Sequence, residues 1–256
     1  MMRRAAISAS GLFLVVAAIV AIAILAPATT LDAALAAQTG GAWRLADARG
    51  LWWRGGGVLS SRDGVARMPL GWRIAWLPLA QGTLSIDLFA ADGGRLGTID
   101  LGRNAWSLHD LRLRLPAAFA VTLAPRMGAL AGAGALAAGG ELDLRARAFE
   151  WNASGGSGTL DAQWNRARLV VAGTTVDFGT VVATLAARQG RLQGTVHGTG
   201  GDLAVDGTIG GSGSSIGGTL TLRPLPTSGE ALRRSLPLLG AQDGSGAVHI
   251  DWHAGR

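Results

Sequence analysis

Residues His109–Pro116 read HDLRLRLP, and this octet decides the fold. Leu111, Leu113 and Leu115 alternate with Arg112 and Arg114. A period of two puts the leucines on one face of a strand and the guanidinium groups on the other. The pattern recurs in both directions. Upstream, GTLSIDLFA sets Leu84, Ile86 and Leu88 against Ser85 and Asp87. Downstream come Leu142, Leu144 and Ala146 in GELDLRA, then Leu160, Ala162 and Trp164 in GTLDAQW. GRLQGTVHG supplies Leu192 and Val196, and GDLAVDGTI supplies Leu203, Val205 and Ile209. GGTLTLRP supplies Leu220 and Leu222, and GAVHIDWH supplies Val248, Ile250 and Trp252. Apolar residues with polar opposites predict a mainly β chain built as an antiparallel sheet with one wet face.

Many of these runs open with glycine, one residue, then leucine, as at Gly82, Gly140, Gly158, Gly190, Gly201 and Gly218. The spacing is irregular, which predicts repeated hairpin edges rather than a solenoid. Glycine, 40 of 256 residues, serves as turn punctuation, with no collagen-like period. Two short helices interrupt the pattern. TTLDAALAAQ (29–38) can be capped by Thr30 and shows Leu31, Ala34 and Leu35 on one face. SGEALRRSLPLLG (228–240) offers Ser228 as N-cap, with Ala231, Leu232 and Leu236 at helical spacing and Pro237 close behind. The low-complexity run 129–140 is either a flexible joint between two sheets or a loop with a short strand.

Ahead of the sheet, Ala5–Ala26 is 22 residues long without a charge and follows Arg3-Arg4 directly. About 20 apolar residues suffice to cross a bilayer as a helix. No Lys or Arg follows until Arg44. The positive-inside rule therefore predicts a cytoplasmic stub at 1–4, a transmembrane anchor at 5–26 and export of 27–256, to the periplasm in a Gram-negative cell. Ala34-Leu35-Ala36 offers a signal-peptidase-like site, but the apolar stretch exceeds the usual h-region of about 7–15 residues. An uncleaved anchor is the expectation.

Composition narrows the function. The chain has no cysteine, so an exported domain must be stable by packing alone, and thiol chemistry is excluded. The net charge is +6, and every basic residue is arginine. The arginines are scattered, without the clusters and interleaved aromatics of a nucleic-acid surface. A P-loop needs the lysine this chain lacks, no G-x-S-x-G elbow is present, and no carboxylate pair stands out. GGSGSSIGG (210–218) reads as a hairpin loop. His249, Asp251 and His253 share a strand face and are of a type that can hold zinc, but they also fit a wet outer face. His109-Asp110 and His197 have no supporting nucleophile in this reading. The expectation is a non-enzymatic protein with no cofactor.

Six of the nine tryptophans precede residue 110. Alternation in GWRIAW puts Trp72, Ile74 and Trp76 on one side, with Trp72 in the core. Trp52 and Trp53 cannot both point inward from an extended strand, so one of them, with the neighbouring Arg54, is the expected contact residue.

The order of these features resembles the type II secretion system protein N family. Ala26-Pro27-Ala28 with Leu31 follows the anchor, and Gly50-Leu51-Trp52-Trp53-Arg54-Gly55 is similar to the family's Gly-x-x-Trp-x-Gly. Trp72, Trp76-Leu77-Pro78-Leu79 and Gly82-Thr83-Leu84 look like its Trp…Pro-x-x-Leu-x-x-Gly-x-Leu segment. Gly158-Thr159-Leu160 through Trp164, Gly200-Gly201-Asp202-Leu203, Leu236–Gly240 and Gly244 complete the series. The doubled Trp52-Trp53 and the lack of lysine depart from the pattern. The resemblance implies a single-pass inner-membrane accessory component of the apparatus that exports folded proteins across the outer membrane. It would have no catalytic site and would touch other inner-membrane and periplasmic subunits, or the secretin, through exposed strand edges or a tryptophan-bearing surface. The rival expectation is a groove-like sheet of AsmA or LptC type that carries lipid on its apolar face.

Overall fold

The computed structural model describes residues 25–119, 137–171, 174–212, 215–226, 228–236 and 241–254. The anchor expected at 5–26 lies outside these residues except for Leu25 and Ala26, as do Arg3 and Arg4. Among the described residues no helix is long and apolar enough to cross a membrane.

Strands alternate with tight turns from the start. They are β1 (Trp43–Leu51), β2 (Arg54–Ser61), β3 (Arg67–Ala75), β4 (Leu84–Phe89), β5 (Arg95–Leu101) and β6 (Ala105–Pro116). Then follow β7 (Ala137–Asn152), β8 (Gly155–Val171), β9 (Thr174–Arg188), β10 (Arg191–Thr199), β11 (Leu203–Ser212), β12 (Ser215–Pro224), β13 (Ala241–Gln242) and β14 (Val248–Ala254). All fourteen form one sheet, each pairing with its sequence neighbour until β14 inserts between β12 and β13. Every pairing is antiparallel, as the alternation predicts. β6 pairs with β7 directly, so the hydrogen bonding is continuous across the chain's middle. Of the run 129–140, residues up to 136 lie outside the described ones, and Ala137–Gly140 begins β7.

Among the described residues, short helices α1 (Thr29–Thr39), α2 (Trp76–Ala80) and α3 (Glu230–Ser235) decorate the sheet. α1 and α3 stand where helical spacing predicts them, but neither is capped as expected. Thr30 lies inside α1, and its hydroxyl donates to the carbonyl of Pro27 at 2.8 Å. Gly229 occupies the N-cap of α3, and the buried Ser228 hydroxyl instead donates to the carbonyl of Asp202, tying the α3 approach to the β10–β11 turn. Helix α2 replaces the expected end of strand β3. Trp72 and Ile74 are buried as the alternation requires. Pro78 has no amide for a ladder, so the chain leaves the sheet after Ala75 and Trp76 opens a helix.

The inner face of the sheet carries a continuous apolar layer, although strict alternation would break it. Its parity changes from Leu45 to Ala48, from Leu108 to Leu111, from Trp164 to Ala167 and from Phe178 to Val181. In each gap sits a residue with positive φ: Asp47 (53°), Asp110 (48°), Arg166 (51°) and Gly179 (67°). An extra residue in a strand shifts the parity while keeping the facing, which is what a β-bulge does. The registers slip at the first, third and fourth of these places: between Ala46 and Arg49, between Trp164 and Ala167, and between Ala167 and Arg168, which face Gly179 and Asp177.

The curl of the sheet then brings distant strands together. Trp43 and Phe119 pack with Leu115 and Ala66, so the first six strands roll up on themselves. Leu88 of β4, Leu111 of β6, Phe149 of β7, Leu192 of β10 and Ile216 of β12 share a second cluster. A third, under α3, joins Val176, Phe178, Leu203, Val205, Leu222 and Val248 to Leu232 and Leu236. The outer face is a wet ladder: Arg114 bonds Asp143 at 2.8 Å, which accepts from Asn165 at 2.8 Å.

Candidate contact surfaces

The two tryptophans singled out by the sequence fall together, but not on a strand. Leu51 pairs with Arg54, so Trp52 and Trp53 are the two residues of a tight turn between β1 and β2. A turn lets both rings leave the sheet plane, which removes the conflict expected for an extended segment. Both meet Trp76 at the start of α2, with centroids 5.5 Å and 5.8 Å away. Their backbone is held as well. The Trp52 carbonyl accepts from the buried Trp72 indole at 2.8 Å, and the Trp53 carbonyl accepts from the Ile74 amide at 2.7 Å. Arg54 is exposed and lies opposite Arg73 across the β2–β3 pair. Beside this aromatic corner, Trp76 is 44 % exposed, Leu77 81 % and Leu79 37 %.

The chain entering from the N-terminus reaches the same corner. Ala26 accepts from the Trp52 amide at 3.1 Å, Pro27 bridges to Leu51, and Ala28 donates to the Gly50 carbonyl at 3.0 Å. Helix α1 then lies along β1. Asp32 accepts from the Arg44 guanidinium at 2.6 Å and 2.9 Å and from the Leu45 amide at 2.7 Å. The Arg44 hydrogen bond holds the Asp32 carboxyl below the usual carboxylate range, against a small desolvation. The outer edge of β1 is thus occupied by the chain's own N-terminal part.

The opposite edge differs. β13 contributes only two residues, pairing with Val248 and His249. The Asp243 amide donates to Ala247, so odd-numbered residues of β14 direct their backbone groups to this side. Among the described residues no strand pairs there with Asp251 or His253.

His249, Asp251 and His253 do share a face of β14, but they do not assemble a site. The His249 ring contacts Asp243 at 2.9 Å and Thr221 at 3.2 Å, so both its nitrogens are engaged. Asp243, also bonded by Ser245, has its carboxyl driven well below the ordinary range, with Ser245 the largest cause. Among the described residues no group of three or more His, Asp or Glu side chains is placed to hold a metal ion.

One cluster escaped the sequence reading, which gave His109 no hydroxyl partner. Ser107 lies two residues away, hence on the same strand face, with its hydroxyl 3.0 Å from His109 Nε2; Asp100 is 3.2 Å from that same nitrogen. A nucleophile–base–acid relay needs hydroxyl and carboxylate on opposite ring nitrogens. Sharing Nε2, these three form a polar surface triangle and not a relay.

A cavity of about 800 Å³ opens between Met68, Pro69 and Leu96 on one side and Arg112, Leu113, Arg114 and Leu144 on the other. Its walls mix apolar side chains with arginines, one of them already paired to Asp143.

Compared with known proteins, residues 41–251 match the family model described as type II secretion system (T2SS), protein N. No curated protein and no solved structure matches significantly.

Proposed function

Because the chain belongs to the type II secretion system protein N family, we propose that it is a non-catalytic accessory subunit of that apparatus, acting through contacts made in the periplasm. In this reading residues 1–4 stay in the cytoplasm, residues 5–26 anchor the chain in the inner membrane, and residues 27–256 meet other subunits of the inner membrane and periplasm, or the secretin. The observation that carries it is the family match, which extends from just before β1 into β14 and so takes in nearly the entire sheet. Two surfaces suit such contacts. The edge of β14 offers backbone donors and acceptors at Asp251 and His253 to an added strand, a mode that gives affinity through main-chain hydrogen bonds. Trp52, Trp53 and Arg54 form the other.

A photocrosslinking residue at Asp251, in the full chain in its native bacterium, tests the first surface. Capture of secretion subunits there supports the reading. Capture of lipid alone favours a second reading, in which the inner face binds acyl chains. That alternative rests on one observation: Leu144, Leu160, Leu185, Val196, Leu220 and Ile250 are only half-buried along the inner face. A detergent-free preparation carrying bound phospholipid would favour it.

A further inference from the structure

We propose that the corner formed by Trp52, Trp53, Trp76, Leu77 and Leu79 sits in the headgroup layer of the membrane that residues 5–26 enter. The proposal rests on the reading of 5–26 as an anchor, and it gives the aromatic surface to lipid headgroups in place of a protein subunit.

Position is the first argument. The uncharged stretch ends at Ala26, and the carbonyl of that residue is hydrogen-bonded to Trp52 itself. The Pro27–Leu51 bridge and the Ala28–Gly50 hydrogen bond follow at once, so no free linker separates the end of the apolar stretch from the corner. A helix emerging from the hydrocarbon at this point delivers the β1–β2 turn to the bilayer surface.

Chemistry is the second argument. Leu77, Leu79 and Trp76 put large apolar surface into solvent on one short helix, and Leu25, one residue before Ala26, is 67 % exposed. Apolar patches of this kind need a partner. Indole rings favour the membrane–water interface, where the ring meets the acyl boundary and the N–H stays wet. Exposed Arg54, next in the chain to Trp53, supplies positive charge suited to anionic phospholipid headgroups, while its cross-strand neighbour Arg73 lies over the Phe89 ring.

Orientation follows. The β2–β3 turn at Arg62–Ala66 lies at the far end of β2 from Trp53, so it points away from the membrane. Docking would hold the sheet at a fixed attitude, instead of leaving it to swing on its anchor.

The absence of cysteine makes the test direct. The full chain is reconstituted in vesicles of phosphatidylethanolamine and phosphatidylglycerol, with a single nitroxide-labelled cysteine at Leu77, Leu79, Val65 or Ile19. Lipid-soluble and water-soluble relaxing agents report the depth of each label. The expected result is a lipid-side signal at Leu77→Cys and Leu79→Cys, a deep one at Ile19→Cys and a fully aqueous one at Val65→Cys. Aqueous labels at 77 and 79 with a deep label at 19 overturn the proposal while leaving the anchor intact. Protection of 77 and 79 from both agents also overturns it, because another protein copy then covers the corner. An aqueous label at 19 overturns the anchor and the proposal together.

Discussion

The indole of Trp43 stacks on the ring of Phe119, with centroids 4.2 Å apart and planes 13° from parallel. Trp43 begins β1 and Phe119 follows β6, so this one contact joins the two ends of the first six strands. Both rings are buried, at 6 % and 5 % exposure. Phe119→Ala should lower the stability of the detergent-solubilised chain by about 3–5 kcal/mol, the usual cost of an aromatic truncation in a core. Phe119→Leu should cost clearly less. Equal urea midpoints for Phe119→Ala and the parent chain would show that the roll does not depend on this stack.

The second core answers to a different residue. Leu203 is fully buried beneath α3, against Val205, Leu222 and Leu236. Leu203→Ala removes packing that cannot readily collapse and should cost about 2–5 kcal/mol. Val196, packed on the same cluster but half-buried, should cost less when truncated. Urea unfolding followed by tryptophan fluorescence measures both, with an unchanged slope expected.

Glycine is required at 97. Its φ is 138°, and a Cβ there would stand 2.6 Å from the Leu111 Cα in the neighbouring strand. Gly97→Ala meets both backbone strain and a backbone clash beside the positive-φ Asp110, and about 1–3 kcal/mol of destabilisation is expected. Gly244→Ala, where a Cβ meets nothing within 4 Å, should be nearly neutral. A thermal midpoint of Gly97→Ala equal to that of Gly244→Ala would contradict the β5–β6 packing.

Acid should weaken the N-terminal half. At Asp87 partial burial pushes the carboxyl up, but hydrogen bonds from Thr98 and Arg95 outweigh it and the net shift is downward. Asp32 is lowered chiefly by Arg44. A carboxyl with a depressed folded value takes up protons more readily in the unfolded chain. Its stabilisation is complete above the unfolded value of about 3.9 and is lost as the pH falls through the folded value. The urea midpoint should therefore hold from pH 7 to about 5 and fall below about 4. Asp32→Asn should lower the midpoint at pH 7 and flatten the acid decline.

Much of this molecule is written locally. The alternation around Leu111–Leu115 and the Gly-x-Leu starts specify antiparallel strands because side-chain direction in a strand depends only on residue parity. The helical spacing of α1 and α3 and the burial of Trp72 and Ile74 are equally local. The end of β3 is legible too: Pro78 signals that the strand stops before Trp76, although the alternation of GWRIAW runs through it. The Ser107–His109 proximity follows from the same parity, and only Asp100 comes from another strand.

The rest is non-local. Nothing beside Asp47 or Arg166 in the chain marks it as a bulge, because a bulge is defined by the register of the neighbouring strand. Trp52 and Trp53 look contradictory as strand residues and become compatible only in a turn facing Trp76, which comes from the far end of β3. By itself the sequence determined which residues turn inward within each alternating run, since that is a matter of period; where the parity changes inside a strand was not its to decide. Only the tertiary structure decided that the sheet curls until Trp43 reaches Phe119, and that the end of the apolar stretch meets the tryptophan corner. Curl and closure are summed from the twist and bulges of many strands, a quantity that no short window of sequence contains.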